Sequence, residues 1–153
     1  MGFSTRETMS GTHEFVRGAG PSGQQPFAFR LRWGPERLSE WLNPFGQRFL
    51  WQECEGEVLV GGLCGWTPCR GTLELRYWER RIRYSLDFEV AGAAYHYRGE
   101  KADIRLWNLA VSHTTCHGTL AEVESGKLVS TSLVTFKLHH LPRMLTSLRW
   151  RRP

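Results

Sequence analysis

The sequence predicts an all-β protein: a single antiparallel meander closed into a roughly eight-stranded, lipocalin-like (calycin-type) barrel with one or two short helices. The clearest sign is the segment Arg81-Ile-Arg-Tyr-Ser-Leu-Asp-Phe88, in which polar and apolar residues alternate without a break. A period of two is typical of a strand with one face in water and the other buried. Neighbouring segments repeat this alternation, and short links join them. Such a meander best removes its exposed edges by closing into a barrel.

Eight segments carry the strand pattern. They span residues 3–16, 27–33, 48–60, 72–78, 81–88, 94–101, 109–123 and 128–138. The links Glu79-Arg80 and Ala91-Gly92 are short enough for tight hairpins, and Gly126 can adopt the positive φ that such turns require. Consecutive hairpins of this kind describe a meander.

Two short helices are predicted outside the strands. Residues 35–42 begin with Pro35, which is tolerated in a first helical turn, and they place Leu38, Trp41 and Leu42 on one face. Residues 139–150 hold a second helix, with Pro142 in its first turn. Loops are expected over residues 18–26 and 61–71, which contain glycine and proline.

The length and composition predict one folded domain covering residues 1–153. No stretch approaches the ~18 apolar residues that a membrane-spanning helix needs. The first part of the chain also lacks the apolar core of a signal peptide. These features predict a cytoplasmic protein, or a module of a longer cytoplasmic chain. The four cysteines, Cys54, Cys64, Cys69 and Cys116, are then expected as free thiols.

The formal net charge of +5 comes mainly from arginine. Arginines cluster at residues 76–83 and again at Arg149, Arg151 and Arg152. Such clusters can attract nucleic acid or anionic lipid. In residues 81–88, however, the arginines occupy the solvent-facing positions of the predicted strand. A solvated strand face therefore explains this cluster more simply, and a frayed terminus explains the second one. We therefore predict no nucleic-acid partner and no membrane span.

Two motifs match known signatures without their structural context. Gly18-Ala-Gly-Pro-Ser-Gly23 spells G-x-G-x-x-G, but the dinucleotide-binding fingerprint needs a helix after it, and here a strand pattern follows. Cys64-x4-Cys69 and His113-x3-His117 together resemble zinc spacing. Residues four apart on a strand are about 13 Å apart, which is too far for two ligands of one zinc ion. We therefore predict no cofactor and no metal site.

Two polar stretches allow more than one interpretation. Alternate glutamates in residues 53–57 share one strand face, where paired carboxylates could perform acid–base chemistry, although a solvent-facing row is the commoner arrangement. In the seventh strand, His113 and His117 lie on one face, while small residues such as Cys116 lie on the other. Either set could face the interior, and a small or polar inner stripe favours a cavity over solid packing.

Three segments, taken in order, share a pattern with a known family. Phe3-Ser-Thr-Arg-Glu-Thr-Met-Ser-Gly11 is similar to its F-x-E-x-M-x-G opening. Arg81 to Phe88, followed by Tyr95 and Gly99-Glu-Lys101, is similar to its R-M-x-Y-x-L-x-F…Y-x-x-x-G-x-K segment. Arg105-Leu-Trp-Asn108, followed by Thr114-Thr115, is similar to its D-L-W-x-D-T-T-T-L segment, with Arg105 and Asn108 standing where the family has acidic residues. The chain thus resembles the uncharacterised bacterial β-barrel module that accompanies cholesterol-oxidase-like flavin oxidoreductases of the glucose-methanol-choline class.

The resemblance implies a lipophilic ligand and a flavin-dependent oxidoreductase as partner, with no flavin chemistry in this chain. We predict that the barrel binds a small sterol-, lipid- or polyketide-like molecule, because eight strands leave room for one small ligand. The residues expected to line the site are Phe29, Tyr77, Tyr84, Phe88, Tyr95, Tyr97, Trp107, His113 and Phe136. Of these, Tyr84, Tyr95 and His113 would supply the orienting hydrogen bonds.

Two alternatives to a simple carrier remain open. The first is a cofactor-independent cyclase or isomerase that shapes such a molecule in the cavity, with His113 or Tyr84 moving a proton. The second is a protein-interaction module with a filled core. A carrier and an enzyme both need space for a guest inside the barrel, whereas an interaction module needs none.

Overall fold

Alternation of buried and exposed residues organises the chain into strands, as the sequence predicts. The structure, a computed structural model, describes residues 1–102, 115–136, 142, 146 and 149–151. The strands in this part of the chain are β1 (Gly2–Phe15), β2 (Gln24–Trp33), β3 (Trp51–Val60), β4 (Cys64–Arg76), β5 (Arg81–Val90), β6 (Ala93–Lys101), β7 (Thr115–Glu122), β8 (Leu128–Phe136) and β9 (Arg149–Arg151). A short helix α1 (Leu38–Trp41) and a 3₁₀ turn (Tyr77–Glu79) complete the described elements.

The sheet closes on itself. Each strand from β1 to β7 pairs antiparallel with the next one along the chain, and β8 returns to pair with β1. This confirms the predicted all-β, eight-stranded antiparallel barrel built as a meander. The short strand β9 pairs with the first residues of β1, where Phe3 lies opposite Trp150. Closure removes the free edges that would otherwise template aggregation.

The predicted loop over residues 61–71 is wrong for most of its length. Strand β4 begins at Cys64, and its pairing with β3 continues through Cys69 and Gly71. The glycine that suggested a turn has a different purpose, because a Cβ on Gly71 would overlap the carbonyl oxygen of Ser85 on β5. Gly71 therefore permits close approach of two strand backbones rather than a change of direction.

The helix predictions also need correction. The first helix is a single turn, Leu38–Trp41, because Arg37 is still extended at φ −125° and ψ 109° and no side chain caps the helix start. Residues 149 and 150, the end of the second predicted helix, lie in β9 because they pair with β1. Pro142 and Thr146 are helical, and the other residues of that predicted helix lie outside the described part of the chain. No helix in the described part of the chain is long and apolar enough to cross a membrane.

The barrel interior is filled by side chains over much of its length. Aromatic rings from different strands meet there, with centroids 4.9 Å apart for Phe27 and Tyr97 and 5.3 Å apart for Phe29 and Tyr84. The buried apolar residues are Met9, Phe27, Phe29, Leu31, Cys54, Val58, Val60, Cys69, Leu73, Tyr84, Leu86, Phe88, Tyr97, Cys116, Leu120 and Val134. Burial of this apolar surface is the main force that stabilises the fold.

Charged residues cover the outer wall. The glutamates of residues 53–57 face solvent, where Glu57 forms an ion pair with Arg30 and Glu55 lies 3.9 Å from Arg32. Arg83 Nε donates a hydrogen bond to Glu100 at 2.9 Å. The solvent-face interpretation of both the glutamate row and the arginines of β5 is therefore confirmed.

The two ends of the barrel are built differently. At the hairpin end, strands are joined by the short segments 16–23, 61–63, 91–92 and 123–127. There Ala91 and Gly92 form the predicted tight turn, with φ of 51° and 82°. At the loop end, β2 and β3 are joined by residues 34–50, and β4 and β5 by the 3₁₀ turn. The long connection is tied down, because Leu75 N–H donates to Leu50 O and Leu50 N–H donates to Trp41 O, both at 2.8 Å.

Candidate functional site

An ion pair lies inside the barrel, on the side of the loop end. Lys101 Nζ is 2.6 Å from Glu7 Oε1, and only 5% and 8% of the two side chains are exposed. Glu7 is on β1 and Lys101 is the last residue of β6, and β7 and β8 separate these strands in the sheet. The ion pair therefore crosses the lumen rather than joining neighbouring strands.

Tyr84 on β5 completes this arrangement. Its hydroxyl donates to Glu7, 3.1 Å from Oε1 and 3.0 Å from Oε2, and its ring centroid is 5.1 Å from Lys101 Nζ. Burial, together with the charge on Glu7, raises the pKa of Tyr84 well above its usual value of 10.0. Tyr84 is therefore a hydrogen-bond donor that keeps its proton, and the Glu7 carboxylate accepts its hydrogen bond. We call Glu7, Tyr84 and Lys101 the buried polar cluster.

The surroundings of the buried polar cluster are mostly apolar, and the cysteine thiols there stay protonated. Burial, the main cause, raises the pKa of the Cys54 thiol to about 12 and that of Cys116 to about 11, so neither is a thiolate near neutral pH. All four cysteines are free. Trp33, on the inward face of β2, has an inaccessible Nε1–H without an acceptor in the described part of the chain.

The buried polar cluster also has unused hydrogen-bonding capacity. A lysine ammonium carries three N–H donors. Among the described residues, the hydrogen bond from Lys101 goes to a single acceptor, Glu7. Together with Trp33 Nε1, this leaves buried donor groups at the loop end that lack a full set of acceptors among the described residues.

A different set of polar side chains lies toward the hairpin end. Ser132 Oγ donates to the hydroxyl of Tyr97 at 3.2 Å, and His13 Nε2–H donates to Gly61 O at 2.8 Å. Burial lowers the pKa of His13 below its ordinary 6.5, so its ring stays neutral. These bonds join uncharged groups, and they fix the packing around the aromatic side chains of this end.

The structure brings four predicted lining residues together inside the barrel. Phe29, Tyr84, Phe88 and Tyr97 are all buried there. Tyr95 is half-buried near the hairpin end and stacks on Phe88 with a centroid distance of 5.7 Å.

The remaining predicted residues are only partly accounted for. Tyr77 is not on a strand but begins the 3₁₀ turn, and Phe136 pairs with Met9 at the end of β8; only their backbones are described. Trp107 and His113 lie outside the described residues. Their assignment to the site stays a prediction.

The structure decides the open question about the seventh strand only in part. Cys116 faces the interior and is buried, whereas His117 is exposed on the outer wall. The small-residue parity of β7 therefore lines the lumen. Within residues 1–102, 115–136 and 149–151, no three histidine, cysteine, aspartate or glutamate side chains are grouped so as to hold a metal ion.

The sequence reading missed Glu7 and Lys101 as site residues. The alternation of residues along each strand could have indicated them. Glu7 shares the inward face of β1 with Met9, and Lys101 shares that of β6 with Tyr97. A charged side chain on the apolar face of a strand is unusual unless an opposite charge or a hydrogen bond pairs with it.

No protein-family model, curated protein or solved structure matches this chain. A groove of about 1080 Å³ is bordered largely by outward charged side chains such as Arg30, Glu57 and Arg70, so it follows the outer wall and not the lumen. The interior site is therefore defined by the buried polar cluster.

Proposed function

We propose that the barrel binds a small lipophilic molecule in the loop-end half of its lumen, with an oxygen of that molecule on the buried polar cluster. The observation that carries this proposal is the ion pair between Glu7 and Lys101 inside an apolar barrel. Burying two charges costs several kcal/mol, and well-packed apolar residues are often as stable or more stable in their place. Stability alone therefore gives a weak reason for this arrangement, whereas recognition of a polar atom gives a strong one.

The lining of the lumen supports the lipophilic character of the ligand. The walls around the buried polar cluster include Trp33, Leu73 and the ring of Phe29. Small-molecule sites usually combine such apolar walls with a few polar groups that orient the guest. The hairpin-end half is packed with side chains, so the ligand would occupy the half that contains Lys101.

The chemistry of the cluster supports a neutral oxygen group on the ligand. Glu7 and Lys101 neutralise each other, and the donors without a described acceptor belong to Lys101 and Trp33. A ketone, ester or alcohol oxygen can accept from such donors without adding charge to the interior. This fits a sterol-, lipid- or polyketide-like molecule better than a fatty-acid anion, which would add a second carboxylate beside Glu7.

The direct test is to identify what the barrel carries. The protein is purified from its own host, denatured in organic solvent, and the extract is analysed by mass spectrometry. We expect one lipophilic, oxygen-containing compound in an amount comparable to that of the protein. Binding is then measured with dehydroergosterol, a fluorescent sterol, and with cis-parinaric acid as the anionic comparison.

The sharpest variant replaces the whole ion pair. In Glu7→Gln/Lys101→Met the introduced amide oxygen can still accept from Tyr84, and no unpaired charge is left, so the barrel should fold. We expect it to lose the co-purified compound and at least about tenfold in probe affinity, since a charge-assisted hydrogen bond contributes about 1.5–3 kcal/mol. Lys127→Met, at an exposed position in the turn before β8, is the matched control and should bind like the wild type.

A second function, a protein-interaction module, is favoured by the close packing of the other half of the lumen, where Phe27, Tyr97 and Leu120 have almost no exposed surface. It predicts no extracted compound and no probe binding by the wild type. The cyclase or isomerase hypothesis stays a prediction; it requires that an added compound is converted into an isomer of the same mass, separable by chromatography, and that Glu7→Gln abolishes the conversion.

On the resemblance alone, we also propose that the barrel accompanies a flavin-dependent oxidoreductase. The expected result is co-elution of this chain with a protein that shows flavin absorbance when both are purified from the same host. Elution of the barrel without flavin absorbance would remove this part of the proposal and leave the ligand site untouched.

A further inference from the structure

The loop end exposes large apolar side chains at the tips of its connections. Five of them stand on segments that meet at this mouth: the start of β1, the connection between β2 and β3, the 3₁₀ turn and β9. They are Met1 (65% exposed), Leu42 (51%), Phe45 (96%), Trp78 (84%) and Trp150 (62%). We call these five residues the apolar rim.

The segment that carries Phe45 is held in place rather than free. Phe45 N–H donates to Asn43 Oδ1 at 3.1 Å, and Gly46 N–H donates to Asn43 O at 3.0 Å. Leu38 N–H also donates to Met1 O at 2.9 Å, which ties the start of the chain to the same connection. A fixed turn that presents an entire phenyl ring to water exposes apolar surface that would be more stable when covered.

The rest of the surface shows no comparable feature in its described part. Away from the loop end, the exposed large aliphatic residues are Val123 and Leu128 at the hairpin end and Leu133 on the outer face of β8. On the outer wall, the guanidinium of Arg30 lies 4.2 Å from the ring centroid of Trp66 and covers it. The most exposed aromatic side chains are therefore concentrated at the loop end.

Charges of both signs surround the apolar rim, where Glu36 and Glu53 are exposed beside several arginines. Arg37 pairs with Glu40 at 2.9 Å and Arg76 with Glu79 at 2.7 Å, so these charges are compensated. Three further arginines, Arg48, Arg80 and Arg149, are exposed at the same end and have no acidic side chain within ion-pair distance among the described residues. The loop end thus combines exposed aromatic tips with uncompensated cations.

We propose that the loop end docks onto a membrane surface that contains anionic lipid. Tryptophan and arginine side chains are favourable at the headgroup level, where an apolar body enters the acyl boundary and a polar or charged end stays hydrated. Separate apolar tips can each enter a soft lipid surface, whereas a rigid protein partner would need a pocket for each. Anionic headgroups complement the three arginines. Docking requires no bound ligand, so this proposal and the proposed ligand site can fail separately.

The experiment is sedimentation of the full chain with vesicles. Vesicles of phosphatidylcholine alone are compared with vesicles of phosphatidylcholine and phosphatidylserine, at low and at high salt. We expect the protein to sediment with the phosphatidylserine vesicles, less with phosphatidylcholine alone, and less at high salt because screening weakens the attraction of the arginines.

Two variants separate the apolar and the ionic contributions. Phe45→Ser/Trp78→Ser should reduce binding to phosphatidylserine vesicles more than about tenfold, because two large apolar side chains no longer leave water. Arg48→Gln/Arg80→Gln should lower it by about fivefold for each arginine, and only where anionic lipid is present. Val123→Ser/Leu128→Ser at the hairpin end is the matched control and should bind like the wild type. All substituted residues are exposed, so unfolding curves should be unchanged.

A third measurement locates the contact. Brominated lipids quench tryptophan fluorescence at close range, and Trp78→Phe keeps an apolar ring while removing one fluorophore. The quenched fraction should fall in Trp78→Phe relative to the wild type. The proposal is overturned if the wild type stays in the supernatant with both vesicle types, or if the hairpin-end variant loses as much binding as Phe45→Ser/Trp78→Ser.

Discussion

The hairpin end and the loop end are two halves of one barrel with opposite polar chemistry. Toward the hairpin end, the polar side chains inside form hydrogen bonds between neutral groups, as His13 does to Gly61 and Ser132 does to Tyr97. Toward the loop end, two opposite charges meet across the lumen, and Lys101 has N–H donors without an acceptor among the described residues. The difference shows that a single meander can fill one half of its lumen with neutral, closely packed side chains and hold a buried ion pair in the other.

The largest expected effect tests whether the hairpin-end half is a plug. Phe27 is buried against Tyr97 and His13, with ring centroids 4.9 and 5.6 Å away. Phe27→Ala should lower the free energy of unfolding by about 3–5 kcal/mol, because it removes apolar contacts and leaves a cavity. Phe45→Ala, at an exposed rim position, should change it by less than about 0.5 kcal/mol. Urea denaturation measures both, and equal losses in the two variants would contradict the packed plug.

A loss of similar size at the loop end should be reversible by a second substitution. Lys101→Met alone leaves the Glu7 carboxylate buried and unpaired, and we expect a loss of about 3–5 kcal/mol. Adding Glu7→Gln should recover most of it, since no charge is then left inside. No second substitution of this kind can restore Phe27→Ala. A double variant as unstable as Lys101→Met would mean that the ion pair itself stabilises the barrel, which would remove the main support for a ligand site.

The sequence was sufficient for the architecture because the strand period is local. Segments such as residues 81–88 alternate cleanly, and their buried faces point into the barrel as expected. Local patterns were insufficient where a long-range contact decides. Gly71 suggested a turn, but its missing Cβ serves contact with β5, and residues 149–151 became a strand only by meeting β1.

The candidate site was only half predictable for the same reason. Aromatic residues on the inward parity, such as Phe29, Tyr84 and Tyr97, could be assigned to the lumen from alternation alone. The ion pair joins positions 94 residues apart in sequence. Which charges meet depends on the stagger of the closed barrel, and strand alternation carries no information about stagger. The alternation in β1 and β6 was a signal that Glu7 and Lys101 face inward, but only the closed barrel shows that they meet.

A smaller effect tests how closely the plug is fitted. The ring of Tyr97 lies directly against Gly118 on β7, where an added Cβ would be 2.2 Å from the phenolic oxygen. Gly118→Ala should therefore cost about 1–3 kcal/mol of unfolding free energy, as overpacked cores do. Gly65→Ala, on β4 with no atom within 4 Å of the added Cβ, is the matched control and should be nearly neutral. If both variants unfold at the same urea concentration, the contact between Tyr97 and Gly118 is looser than the structure shows.

The smallest effect concerns pH and again distinguishes the two ends. Burial lowers the pKa of His13 below 6.5, so the unfolded chain takes up this proton at a higher pH than the folded barrel does. The stability that depends on neutral His13 is fully present above pH 6.5 and is lost as the pH falls below it toward the folded-state pKa. Glu100 does not interfere, because its hydrogen-bonded ion pair with Arg83 lowers its pKa below 4.5 and its contribution is lost only in more acidic solution.

The urea midpoint of the wild type should therefore decrease between about pH 7 and pH 5. It should decrease less in His13→Gln, whose amide can still donate to Gly61. His117→Gln, which replaces an exposed histidine on the outer wall, is the matched control and should follow the wild type. An unchanged slope in His13→Gln would show that water and a proton reach the His13 ring in the folded barrel. The contrast between a closely packed hairpin end and a polar loop end would then no longer hold.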